Sequence, residues 1–200
     1  MLFHKKSGAI DWLVVGLGNP GAAYEGTRHN AGWDALQALA RRANISINKK
    51  QWKALTGTGT IGDKKVLLLF PQTFMNNSGE AVQAAMAFYK LKPEQLLVLS
   101  DDIALPVGSL RVRKKGSDGG QKGLRSIITH IGSDAFARVR IGVGAKPHPA
   151  YDLADWVLSK YKKEEQPLMQ AAFDDAAAAA ECIVADRIEE AMNRFTRTGK

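Results

Sequence analysis

Short apolar runs bounded by glycine, asparagine and proline alternate along this chain with stretches whose apolar residues recur at helical spacing. Trp12 to Leu17 is the first such run, closed by Gly18, Asn19, Pro20 and Gly21, the turn chemistry that ends a buried strand. A helix is predicted from about Asn30 to Ala43, where Trp33, Leu36, Ala40 and Ala43 share a face and Arg41 and Arg42 suit the negative end. Residues 52–60 alternate weakly and Lys65–Phe70 is continuously apolar up to Pro71, which predicts a strand pair. Asn77 followed by Glu80 reads as a helix cap opening SGEAVQAAMAFYKL. Leu96–Leu99 is a further buried strand running into Ser100, Asp101 and Asp102, and 110–114 and 137–143 are strand candidates around the helix GLRSIITHI. The last thirty-odd residues read as a helix over about 164–198, packed on the sheet through Leu168, Ala172, Ala176, Ala179 and Ile183. Strands alternating with helices predict an α/β fold with helices on both faces of the sheet.

Length and composition narrow this to one domain over 1–200, with a core of about 11–162 and the C-terminal helical segment of about 164–198. At 200 residues, 45% hydrophobic and 24% charged, the chain is long enough to bury a sizeable core and too mixed for disorder. Its single cysteine, Cys182, excludes an internal disulfide and a thiolate zinc cage, and predicts a reducing compartment. No run approaches the roughly eighteen apolar residues of a membrane span, and the first residues lack a secretory pattern. The expectation is a cytoplasmic protein that does not engage membranes.

Charge is unevenly placed. Residues 111–146 hold nine bases and two acids, nearly the whole formal excess of +8, whereas 164–200 holds eight acids and four bases. A polyanionic partner is the expected consequence, against the plainer reading of a solvated basic surface. Spacing sharpens the point: Arg111 with Arg113, and Arg138 with Arg140, lie two apart in strand candidates, so each pair shares a face. Two such pairs match a phosphate-binding fork.

Gly16, Gly18 and Gly21 satisfy the dinucleotide-binding pattern GxGxxG, but Pro20 interrupts it, the helix is delayed past Gly26, and no acid ends a second strand about twenty residues on. A glycine-rich turn is the better reading. Of four histidines, His4 sits in an end expected to fray, His130 closes a helix and His148 lies between prolines, whereas His29 follows the loop at the C-terminal end of the first strand. Open α/β sheets collect ligands there. Imidazole suits general-base work near neutrality if a carboxylate orients it, and Asp101 or Asp102, ending another strand, can supply one. The alternative is a histidine that merely caps a helix. With no GxSxG elbow, no HExxH and a helical cysteine, a water nucleophile is favoured over a covalent one, with Asn19 and Asn76 as amides able to orient it.

Five blocks, VGLGNPG, Tyr24 with TRHNAG, PQTFMNNSG, DDIALPVGSLRVRKKGSDGGQKG and FARVRIGVG, together resemble the bacterial-type peptidyl-tRNA hydrolases from about Leu13 to Tyr161. The resemblance implies a monomeric single α/β domain with a mixed twisted sheet. It implies hydrolysis, without metal or cofactor, of the ester between a peptide or N-blocked aminoacyl group and the terminal ribose of tRNA. In its terms His29 is the general base, Asp101 keeps it basic, and Asn19 helps to distinguish blocked from free amino ends. Tyr24, Phe74 and Asn76 contact the substrate near the 3′ end with Met75 beside them, and Arg113 and Arg140 hold the tRNA 5′ phosphate. Where the family commonly reads GGHNG this chain has Gly119, Gly120, Gln121, Lys122 and Gly123, so an ammonium that only donates replaces an asparagine amide. Ser100 and Ala104 also depart from the common histidine and aspartate. A catalytically impaired RNA-binding module on the same fold is the alternative that these departures leave open.

Overall fold

The computed structural model describes residues 8–196; His4 and the last residues of the predicted terminal helix lie outside them. In chain order the elements are β1 (Trp12–Gly16), α1 (Ala31–Ala43), β2 (Lys49–Gln51), β3 (Ala54–Ile61), β4 (Lys64–Pro71), α2 (Ser78–Tyr89) and β5 (Leu96–Asp102). There follow β6 (Leu110–Arg113), α3 (Lys122–Ile131), β7 (Ala137–Gly142), α4 (Leu153–Val157), α5 (Gln166–Val184) and α6 (Ile188–Phe195). The strands form one seven-stranded sheet in the order β2-β3-β4-β1-β5-β7-β6. β1 lies parallel to both β4 and β5, and β5 parallel to β7, while β2, β3 and β6 pair antiparallel at the edges. The mixed α/β architecture is therefore the one expected.

Alternation along the central strands divides the core into two layers. Val14, Leu97, Leu99, Val139 and Ile141 pack with α1 and α5 on one face, and Leu13, Val15, Leu67, Leu69 and Val98 pack with α2 and α3 on the other. The chain leaves β1 toward β4 and later returns to the far side of β1 as β5, so the crevice between their C-terminal ends is a topological switch point.

Close approach of α1 to β1 accounts for the glycines. A Cβ on Gly16 would lie 2.6 Å from both the Gly32 carbonyl and the Leu36 Cβ, and one on Gly32 would lie 2.2 Å from the Leu99 carbonyl. With no side chains between them, the Trp33 N–H donates to the Leu17 carbonyl at 3.0 Å, which docks the start of the helix on the strand end.

Three expectations change. Asn77 stands at the N-cap of α2 without a side-chain capping bond, and Glu80 pairs with Lys53 across 2.7 Å, because a tertiary cation outcompetes the local box. β5 continues through Ser100, Asp101 and Asp102 because β7 pairs along its whole length. The terminal segment is two helices broken around Asp186, which has a φ of 60°, and Leu168 is 54% exposed while its neighbour Met169 takes the core position. Among the described residues no helix is long and apolar enough to cross a membrane.

Gly16→Ala and Gly32→Ala are each expected to cost about 1–3 kcal/mol through overpacking, read as a lower urea midpoint. An unchanged midpoint would show that α1 moves off the sheet without penalty.

Candidate active site

At the switch point the loop after β1 carries Asn19, and a single 3-10 turn, Arg28–Asn30, carries His29 into α1. Parallel pairing sets Gly16 beside Leu99, so the last residues of β5 reach the level of this loop. The pleat then decides between the two aspartates. Asp101 shares the α1 side with Leu97 and Leu99, and its Oδ2 lies 3.0 Å from His29 Nδ1. Asp102, on the opposite side, forms an ion pair with Arg140 at 3.0 Å, too poorly aligned for a hydrogen bond.

Both partners of the imidazole–carboxylate pair are largely buried, His29 13% and Asp101 3% exposed at the side chain. For His29, burial pushes the pKa down, but the charge of Asp101 and its hydrogen bond outweigh this, so the net shift is upward despite the opposing Lys122 ammonium. Since the carboxylate accepts from Nδ1–H, the neutral imidazole keeps its lone pair on Nε2.

Around this pair lies a cleft of about 430 Å³. Asn19, Phe74, Met75, Asn76, Lys122 and Arg140 line it with His29 and Asp101, and Leu153, Val157 and Leu158 form an apolar wall. Asn19 is fixed at both ends of its backbone by Asn30, donating N–H to Asn30 Oδ1 at 2.9 Å and accepting from Asn30 Nδ2 at 3.0 Å. Its side-chain oxygen accepts the Met75 N–H at 2.8 Å, which leaves the NH2 end to donate. Tyr24 lies outside the lining and meets the exposed Phe74 edge-on, with ring centroids 6.3 Å apart. Arg113 also lies outside it, exposed on β6.

The arginine parity holds, but the four-arginine fork does not. The β6–β7 register sets Arg111 opposite Arg140 and Arg113 opposite Arg138, so all four share one face. Arg138, however, is 1% exposed and spends its donors on the carbonyls of Gly116, Ser117, Asp134 and Phe136, tying down the loop before α3. Burial, with Arg140 alongside, lowers its pKa to about 10. Among the described residues no group of three or more His, Cys, Asp or Glu side chains is arranged to hold a metal ion.

Residues 13–200 match the sequence model of the Peptidyl-tRNA hydrolase family. The chain belongs to that family. Among similar sequences, the peptidyl-tRNA hydrolase of Lachnoclostridium phytofermentans is 49% identical over 93% of this chain and 97% of its own length. That of Alkaliphilus oremlandii is 51% identical over 92% and 98%. A solved peptidyl-tRNA hydrolase from Acinetobacter baumannii superposes with a TM-score of 0.89 at 35% identity, covering 96% of this chain and 98% of that one.

Two residues that sequence reasoning passed over stand out in this family member. Arg28, 1% exposed beside His29, donates to Ser159 Oγ, the Val143 carbonyl and Glu165 Oε2, and stacks on Trp156 with 3.9 Å from guanidinium carbon to ring centroid. It thereby anchors the segment that bears the apolar wall. The only signal was a cation beside the histidine, with partners more than a hundred residues away. Gln121, 7% exposed, caps α3 through Oε1 and donates Nε2 to Asp101 Oδ1 at 3.0 Å. In the GGQKG segment the change of charge is at Lys122, which is exposed at the cleft, whereas the buried contact is made by its uncharged neighbour.

Arg28→Ala is expected to lower stability by about 3 kcal/mol, because Glu165 and the 143–165 segment lose a mostly buried partner. Arg28→Lys should restore little of it, since an ammonium cannot span three acceptors and stack; full recovery of the urea midpoint in the lysine variant would contradict the fork.

Proposed function

We propose that the chain hydrolyses the ester between a peptide, or an N-blocked aminoacyl group, and the terminal ribose of tRNA, with water activated by His29 and no metal. The observation that carries this reading is the buried His29–Asp101 pair opening on a cleft that is apolar on one side and cationic on the other. His29 Nε2 accepts a proton from water as the water oxygen attacks the ester carbonyl carbon. Asp101 stabilises the imidazolium that forms. Collapse of the tetrahedral intermediate breaks the bond to the ribose oxygen, which takes up the proton, releasing free tRNA and the peptide acid. The NH2 group of Asn19, with Asn76 and the Lys122 ammonium, supplies donors for the carbonyl oxygen as it gains charge.

Leu153, Val157 and Leu158 suit the side chains of the peptide, and Phe74 with Tyr24 offers aromatic surface for the bases at the 3′ end. Arg140 at the cleft and Arg113 on the same sheet face are the phosphate contacts in this reading, with Arg138 withdrawn into the structure. Lys122 takes the place of an amide that can both donate and accept, so in this chain water is oriented by His29 and the asparagines while Lys122 serves as a cation.

Cleavage of an N-blocked aminoacyl-tRNA in the presence of a chelator tests the reaction. It should persist in the wild type and fall by at least about a hundredfold in His29→Ala, with tRNA binding retained; binding without wild-type cleavage would instead indicate the RNA-binding module. The pH dependence follows from protonation: below its folded pKa His29 is an imidazolium and cannot accept a proton, so kcat/KM rises with pH through that value. Because the pKa is raised, the midpoint should lie above the ordinary 6.5 or so of histidine. Lys122→Met should move it further up, since the opposing cation is gone; a downward move would place Lys122 elsewhere. Arg113→Glu, on the exposed strand and away from the cleft, should weaken tRNA binding and flatten its salt dependence by about one phosphate's worth, while sparing a minimal nucleotide ester. Equal loss on both substrates would remove the phosphate assignment.

A further inference from the structure

Gln121 joins two functions that a shorter residue would separate. As N-cap of α3 it needs only an oxygen, and Ser, Thr, Asp or Asn provide that more often. Its longer side chain places Oε1 2.7 Å from the Leu124 N–H while Nε2 extends to Asp101 Oδ1 at 3.0 Å and to Met75 Sδ at 3.2 Å. The amide has only one sensible orientation. Leu124 N–H can only donate and the carboxylate can only accept, so a flipped amide would oppose like groups at both ends. Asp101 is thus held through both oxygens, Oδ2 at His29 and Oδ1 at Gln121, and rotation of the carboxylate would break both contacts.

We propose that Gln121 is a positioning residue for the hydrolysis, holding the Asp101 carboxylate in the orientation that presents Oδ2 to His29 and taking up part of its charge. The proposal rests on the reading of His29 as general base and adds a residue to it. Without the amide, the carboxylate turns more freely and concentrates its charge on its remaining partner. The imidazole is then oriented less well and binds its proton more tightly. The other charged or titratable groups facing the pair are Lys122 from the start of α3, Tyr161 from the segment after α4, and the Asp102–Arg140 ion pair from β5 and β7. None is altered by changing Gln121, so a shift at His29 reports the amide.

Gln121→Ser and Gln121→Leu separate the two functions. Serine still caps α3 but does not reach Asp101; leucine does neither. The expectation is that both variants lose thermal stability through the unpaired Asp101 Oδ1, the leucine variant more because it also loses the cap, whereas both lose kcat by about tenfold with KM within about twofold. The His29 midpoint, followed by NMR of the imidazole and by the pH dependence of kcat/KM, should rise by about half a pH unit in both. Wild-type kcat and an unmoved His29 midpoint in the serine variant would overturn the proposal and leave Gln121 a cap. If the wild type does not cleave at all, the hydrolase reading fails and takes the catalytic claim with it. The NMR midpoint is independent of turnover, so it still decides whether Gln121 acts on His29 through Asp101, and an unmoved midpoint refutes that coupling.

Discussion

A carboxylate only 2% exposed at the end of a parallel strand must have its oxygens engaged, and the site is arranged around meeting that demand at Asp101. The connections close on themselves. His29 and Gln121 hold the two oxygens, and Gln121 reaches the Met75 sulfur. The Met75 N–H donates to Asn19, and Asn19 is locked through its backbone to Asn30, the residue after His29. The circuit draws on the β1 loop, the turn before α1, the end of β5, the loop before α2 and the cap of α3. Displacing one member therefore loads its neighbours, so a ring of polar contacts surrounds His29 while the cleft above it stays open.

The turn Arg28–Asn30 explains how one short segment serves three directions. A 3-10 helix has three residues per turn, so consecutive side chains point about 120° apart. Arg28 enters the packing of the 143–165 segment, His29 faces Asp101, and Asn30 clamps the β1 loop. An α-helical turn would spread the same residues by about 100° each and leave the three directions less evenly divided. Close docking of α1, permitted by Gly16 and Gly32, fixes where this turn sits over the sheet.

Much of this was legible in the sequence because it is written in local periods. The apolar runs gave the central strands, the two-residue spacing gave the shared face of the arginines, and position after β1 singled out His29. What escaped was set by partners far along the chain. Glu80 satisfies a capping pattern yet answers to Lys53, Leu168 fits the helical stripe yet points outward while Met169 packs, and Arg138 repeats Arg140 in parity yet is consumed by four carbonyls. The choice between Asp101 and Asp102 is another such case from residues alone: the pleat assigns one to each face, but only the pairing of β1 with β5 tells which face meets His29.

The basic face, beyond the role proposed for it, lies along an edge of the sheet. β6 is an edge strand of four residues, and its outer side is partly closed by the C-terminal segment, where the Val112 N–H donates to Thr196 Oγ1 at 3.2 Å. Arg111 and Arg113 on that strand add charge of one sign, a feature that blunts strand addition at an edge, while Lys114 just beyond it is paired with Glu189 of α6. Charge that repels a like edge attracts a phosphate backbone at the same range. Asp102 offsets part of the Arg140 charge next to the cleft, whereas Arg113 on β6 is exposed. In the proposed reading the exposed Arg113 stands apart from the imidazole–carboxylate pair, while the Lys122 ammonium at the cleft opposes the proton on His29.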